Sequence, residues 1–218
     1  MRPLADCTWT DLEDRPVVLV PVGSIEQHGP HLPLDTDTVI AEATARGITE
    51  RLPGAVVAPP LTYTASGEHQ GFAGTSSIGS AALVTVVVEL VRSLSLWAGR
   101  TVFVNAHGGN TAALTTAVGR LVEEGHAVSW VACATEGVDL HAGRTETSLM
   151  LHLRPESVRL DRAEPGNRAP LAELWPAMRE GGVGAVSANG VLGDPTGASA
   201  VEGQQILQEL IDGALQRL

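Results

Sequence analysis

Short unbroken apolar runs alternate along this chain with stretches of helical period. Val17–Val22 (VVLVPV) is continuous and closed by Gly23, the pattern of a buried strand. Thr36–Arg51 carries Val39, Ile40, Ala43 and Ile48 at helical spacing, and Pro53-Gly54 ends it. Ala55–Ala58 reads as a second strand before Pro59-Pro60, and a Gly/Ser-rich loop follows from Thr64 to Gly79. A helix is expected over Ser80–Leu96, a third strand at Arg100–Asn105, and a helix over Thr111–Glu124 stopped by Gly125. Ala127–Ala134 reads as a fourth strand, Glu146–His152 as a short helix ended by Arg154-Pro155, and Ala200–Leu218 as an amphipathic helix. This alternation predicts an α/β fold, a mainly parallel sheet with helices on both faces. There is no internal repeat and no linker long enough to separate domains, so 1–218 is expected to be a single domain.

Sites on such sheets lie at the carboxyl ends of the strands. The polar clusters fall there: Gly23–His28 after the first strand, Asn105–Asn110 after the third, His141–Glu146 after the fourth.

Composition narrows the chemistry. All 14 basic residues are arginine, which excludes a Schiff-base lysine, a P-loop lysine and a carbamylated-lysine metal bridge. The net charge of −11 disfavours nucleic acid and anionic membranes as partners. Cys7 and Cys133 stand too far apart in sequence to suggest a metal pair. The N-terminal stretch runs into Asp11, Glu13 and Asp14 with no apolar h-region of signal-peptide type, so no signal peptide is expected and a cytoplasmic location is the default. The apolar stretch around Ala81–Leu96 is interrupted by Glu89 and Arg92 and is not a membrane span.

Glu26, His28 and Asp37 offer two carboxylates and an imidazole within twelve residues, a set suited to Zn, Mn or Fe(II). The competing reading makes Asp35 or Asp37 the cap of the following helix. His107 lies in a Gly-rich strand exit, where Gly108 and Gly109 leave room for a ligand. Asn110 is a candidate helix cap or substrate contact. Glu146 heads a helix, where its charge also suits the dipole. His141, in a glycine-containing loop, is the candidate acid or electrophile. Glu68 and His69 read either as a substrate-touching rim or, more simply, as a solvated loop pair. His31, His126 and His152 stand out for nothing, and Asp194 is a candidate to reach a neighbouring subunit's site. There is no G-x-S-x-G elbow and no nucleotide loop.

Taken together, PVGSIEQHGPHLPLDTD at 21–37, GEHQGFAGTSSIG at 67–79, FVNAHGGN at 103–110 and HAGRTETSLMLHLRP at 141–155 resemble the creatininase family. The resemblance implies a three-layer α/β/α fold and a centre of two divalent ions. Glu26 and His107 would hold one ion, His28 the other, and Asp37 would bridge them. Creatininase proper has Glu where this chain has Gly109 and where it has Leu140; Glu146 would supply the missing ligand. Segments 65–79, 133–148, 166–174 and 181–203 are similar to a peptidase branch of that family. That likeness implies a modified ribosomal precursor peptide as substrate, cut after a Gly to release a cross-linked C-terminal Val-Tyr unit. It favours Fe(II), with Zn or Mn possible, and a homo-oligomer such as a hexamer. The rival readings are hydrolysis of a small formamide or cyclic amide, and a non-catalytic scaffold; the complete ligand set argues against the scaffold.

Overall fold

The computed structural model describes residues 3–12, 15–135 and 139–218. Glu13 and Asp14 of the N-terminal stretch, and positions 136–138 of the 133–148 segment, lie outside the described residues. The four expected strands form as β1 (Val17–Val22), β2 (Ala55–Val57), β3 (Arg100–Asn105) and β4 (Val128–Ala132). They pair in the order β2-β1-β3-β4, and each pairing is parallel. β1 and β3 lie at the centre in register from Val17↔Arg100 to Val22↔Asn105. After its first residue each is buried throughout. Burial on both faces is the reason these strands read as unbroken apolar runs.

The helices are α1 (Thr36–Arg51), α2 (Ser80–Leu94), α3 (Thr111–Glu123), α4 (Arg144–Leu153), α5 (Leu171–Gly181) and α6 (Ala200–Leu215). Side chains alternate across the sheet. Val18, Val20, Val22 and Phe103 pack with Leu83, Val87 and Val91 of α2 and Leu114 and Leu121 of α3. On the other face Leu19, Val102 and Val104 pack with Ala45 and Ile48 of α1 and Ile211 and Ala214 of α6. α4 joins this second layer through Leu149, which meets Ile40 and Leu210. The result is the expected three-layer α/β/α fold with a parallel central sheet. Among the described residues, no helix is long and apolar enough to cross a membrane.

Two elements differ from expectation. α4 begins at Arg144, two residues early, so Glu146 lies within its first turn rather than at its head. α5 was not among the expected helices, and Pro176 sits inside it. The signal was present: Leu171, Leu174 and Met178 share one helical face, and Leu174 and Met178 pack with Val183 and Leu192.

The strand order reverses between β1 and β3. The chain leaves β1 through α1 toward β2 on one side, while β3 and β4 extend to the other. The crevice at their carboxyl ends is where a sheet of this topology binds ligands.

Gly203 brings α6 onto α4: a Cβ there would lie 1.9 Å from the Ser148 carbonyl oxygen. Gly119, exposed in α3, has nothing within 4 Å of such a Cβ. The same substitution is therefore expected to have opposite signs. Gly119→Ala raises thermal stability by up to about 1 kcal/mol through helix propensity. Gly203→Ala lowers it by about 1–3 kcal/mol through overpacking. Calorimetric melting of the two variants checks this, and stabilisation by both would contradict the close packing.

Candidate metal centre

At the end of β1 the chain approaches α1 so closely that a Cβ on Gly23 would lie 2.4 Å from the Thr38 Cα. That contact holds the first turn of α1, and with it Asp37, over the strand end. The Ser24 hydroxyl donates to Asp37 Oδ2 at 2.8 Å, and the Thr38 hydroxyl donates to the Ser24 carbonyl at 3.1 Å. Gly29, at φ +64°, turns the chain back after His28. The choice between the two aspartates at this helix resolves by geometry. Asp35 occupies the N-cap position with no side-chain cap bond. Its carboxyl instead meets Arg154 at 3.0 Å, tying α1 to the end of α4.

β3 delivers His107. Asn110 is fully buried, and its side chain makes no helix-cap bond. It braces three loops: Oδ1 accepts from Ala65 N at 3.1 Å, and Nδ2 donates to the Gly23 carbonyl at 3.0 Å and to Asn105 Oδ1 at 3.1 Å.

The expected ligands converge. Nε2 of His28 lies 3.1 Å from Asp37 Oδ1 and 3.8 Å from Glu146 Oε2. His28 Nδ1 faces the Glu26 carbonyl at 3.2 Å, which directs Nε2 inward. Nδ1 of His107 lies 3.2 Å from Asp37 Oδ2, while its Nε2 is 3.0 Å from the Ala65 carbonyl and 3.2 Å from Glu26 Oε2. His141 joins them, its ring centroid 4.4 Å from those of both His28 and His69. Among the described residues, distances alone admit an ion at three overlapping groups: Glu26-His28-Asp37, His28-His141-Glu146 and Glu26-His69-His141.

His69 corrects the reading of a solvated loop pair. It is buried, with Nε2 3.3 Å from Glu26 Oε1. Its partner Glu68 is half-buried, with Oε1 3.4 Å from His107 Nε2. A side chain at Gly109 would collide with both, since its Cβ would lie 2.3 Å from Glu68 Oε1 and 2.4 Å from His107 Nε2. His31 is likewise far from unremarkable: it is buried, bonds the Thr147 hydroxyl at 2.9 Å, and links the His28 turn to α4 beside Glu146. Asp194 pairs with Arg168 of the same chain at 2.6 Å.

The charges decide what the pocket accepts. Burial opposes the charged form of His28, but the carboxylates of Asp37, Glu146 and Glu26 outweigh it and raise its pKa to about 10. His107 is raised well above the usual value: burial opposes, and Glu26 and Asp37 overcome it. Burial also works to raise Asp37, yet His28 and His107 hold it well below the usual carboxylate range. Burial raises Glu146 to about 7, with His28 pulling the other way. Burial lowers His69 to about 4 and holds His141 well below the usual histidine range, His28 adding to the effect in both.

Glu26 supplies the test of fit for a metal. It is fully buried, and its carboxylate oxygens have only the imidazole nitrogens of His69 and His107 beside them, at 3.3 and 3.2 Å, with no hydrogen bond of good geometry to either. A buried carboxylate in that condition calls for a cation. Three carboxylates and two imidazole nitrogens directed at one another form an oxygen and nitrogen donor set that suits one or two divalent ions. Beside it opens a cavity of about 1060 Å3 lined by Glu26, Asp37, Glu68, His107, His141 and Glu146, with an apolar wall of Leu140, Leu171, Trp175 and Met178. The sequence reading missed that wall because it missed α5.

Comparison with known proteins is decisive on kinship. The family described as creatinine amidohydrolase matches residues 5–218. The chain belongs to the creatinine amidohydrolase family. It is 56% identical over 208 residues to the mycofactocin precursor peptide peptidase of Mycolicibacterium smegmatis, spanning 93% of this chain and 84% of that one. It is 55% identical over 211 residues to the protein of the same name from Mycobacterium ulcerans, with the same coverage. The solved structure described as "Creatininase Mn" superposes with a TM-score of 0.79 at 27% identity, covering 98% of this chain and 96% of that one. As a creatinine amidohydrolase family member with this cluster of ligands, the protein is a metal-dependent hydrolase.

Metal binding needs neutral imidazoles, and the raised pKa of His28 means it carries a proton at pH 7.5 in the metal-free protein. Zinc binding at pH 7.5 is therefore expected to release protons, and affinity is expected to rise between pH 6 and 8. Calorimetric titration in buffers of different ionisation enthalpy measures the release. A pH-independent affinity with no proton release would contradict this electrostatic picture.

Proposed function

We propose that this chain hydrolyses the Gly–Val amide of the modified mycofactocin precursor peptide, releasing the cross-linked C-terminal Val-Tyr unit. The observation that carries the reading is the identity of more than half the residues, over nearly the whole chain, with proteins named mycofactocin precursor peptide peptidase. The cavity agrees with it. About 1060 Å3 with an apolar wall lies at the upper end of small-molecule pockets and suits a peptide end better than a small cyclic amide.

The proposed centre holds two divalent ions, Fe(II) by preference, with Zn or Mn accepted. Glu26 and His107 serve one ion, and His28 and Glu146 the other. Asp37 would be shared between the two, its Oδ1 facing His28 and its Oδ2 facing His107. When bound, the ions supply Lewis acidity, which activates water at neutral pH and polarises the scissile carbonyl. The chain's own residues do the rest. His141 handles the proton, stabilising the tetrahedral intermediate or protonating the leaving amine. Gly108, with nothing within 4 Å of where a Cβ would lie, leaves the strand exit open for the peptide backbone, Gly109 lines the same cavity, and Glu68 and His69 border it on the other side. Leu140, Leu171, Trp175 and Met178 receive the apolar released unit and keep water from the site. The protein is proposed to work in the cytoplasm as a homo-oligomer such as a hexamer, which light scattering would count.

Metal-reconstituted protein is expected to convert the modified precursor peptide to a Val-Tyr-derived fragment, read by mass spectrometry. Glu26→Ala should abolish turnover together with metal. His141→Ala should keep the metal and lose about 10²–10⁴-fold in kcat, the usual share of a proton-transfer group. Failure to cleave with Fe(II), Zn and Mn alike would remove the peptidase reading and return a small amide as the substrate to seek.

A further inference from the structure

Gln27 lies between two proposed ligands in sequence, yet its side chain turns away from the carboxylates and into the histidines. Its amide Oε1 accepts from Gly29 N at 2.8 Å. Its Nε2 lies 3.0 Å from the Gly190 carbonyl, 2.9 Å from His69 Nδ1 and 3.0 Å from His141 Nε2. Gly29 N–H only donates and the Gly190 carbonyl only accepts, so these two backbone groups determine which way the amide faces. Turning it over would set two donors together at one end and two acceptors at the other. The site is closed around this one side chain: a Cβ on Gly190, at φ +79°, would lie 2.0 Å from Gln27 Oε1.

The amide nitrogen then has two hydrogens and three neighbours. His141 Nε2 has a second contact, the Gln27 backbone carbonyl at 2.7 Å, which only accepts. The hydrogen of that pair therefore sits on His141 Nε2, which needs nothing from the amide. The two amide hydrogens serve the Gly190 carbonyl and His69 Nδ1. In its neutral form His69 consequently carries its own hydrogen on Nε2, the atom 3.3 Å from Glu26 Oε1. Neutral His141 is left with a bare Nδ1, which faces the same oxygen at 3.8 Å.

We propose that Gln27 is a positioning residue that gives the two histidines opposite polarity toward the metal centre, His69 as an N–H donor and His141 as a lone-pair acceptor. His69 is thereby a partner of Glu26 and of developing negative charge rather than a metal ligand, although distance alone would admit an ion at Glu26-His69-His141. In the chemical step, which rests on the amide-hydrolase reading above, His141 Nδ1 takes a proton from the attacking water and returns it to the leaving amine.

Zinc-loaded protein with 15N-labelled histidine, studied by long-range 1H–15N correlation, reads each tautomer directly; His69→Gln and His141→Gln variants assign the signals. Both rings are expected to carry hydrogen on Nε2 in the parent protein. Gln27→Glu replaces the donor by an acceptor and should move the His69 hydrogen to Nδ1. Gln27→Met, which retains the length and offers neither, should leave His69 a mixture of tautomers. It should also lower kcat on the precursor peptide by about 10–100-fold with KM and zinc stoichiometry unchanged. A protonated Nδ1 on His69 in the parent, a zinc-bound His69 Nε2, or an unchanged His69 pattern in folded Gln27→Met would each overturn the proposal. The parent spectrum decides even where Gln27→Glu does not fold. If the tautomers are as expected but the precursor is not cleaved, the peptidase reading fails and the role of Gln27 stands.

Discussion

Glu26 carries its carboxyl fully out of water, and neither oxygen finds a hydrogen bond there. An uncompensated charge at that depth costs several kcal/mol, so its surroundings must supply positive charge. Much of the local structure answers that demand. Nitrogens of His69, His107 and His141 stand within 3.8 Å of its oxygens, and His28 and Asp37 lie in the same cluster. Without metal, the carboxylates are balanced by raised proton affinity at His28 and His107; a divalent cation would meet the same demand. Raised imidazole basicity and metal affinity are therefore two expressions of the same buried negative charge.

Holding that cluster together requires backbones to approach where ordinary side chains would not fit. Gly23 lets α1 down onto the exit of β1, and Gly109 leaves space shared by Glu68 and His107. Around these contacts runs a layer of polar side chains with no metal to hold. Ser24 steadies Asp37, Asn110 ties the β1 and β3 exits, His31 anchors the His28 turn to α4, and Gln27 joins two histidines to the 190 loop. Each brace fixes the direction of a side chain in the cluster of carboxylates and imidazoles.

The strands and most helices were legible in the chain because each buries a face of simple period. β1 and β3 are continuous apolar runs because helices cover both sides of the sheet, and α1 and α3 end at their Gly or Pro signals. Glu26, His28, Asp37, His107, His141 and Glu146 stood out in the chain as metal-ligating or proton-transferring types at strand exits, and the fold brings them together. α5 was not picked out along the chain, although Leu174 packs it against Val183 and Leu192 with Pro176 inside it. His69 was misread as solvated because a Gly-rich loop carries no periodicity that could report its burial.

By itself, the sequence determined the α/β class, the parallel sheet, the strand ends that carry the chemistry, and membership of the family. These rest on local period, turn residues and short motifs, all of them properties of neighbours along the chain. Only the tertiary structure decided that Asp35 pairs with Arg154 while Asp37 enters the site, that Asn110 is a brace, and that Gln27 lies between His69 and His141. Each of those choices depends on groups dozens of residues apart, and on which of two hydrogen-bonding atoms faces a donor or an acceptor. Polarity of that kind arises only when the chain is folded.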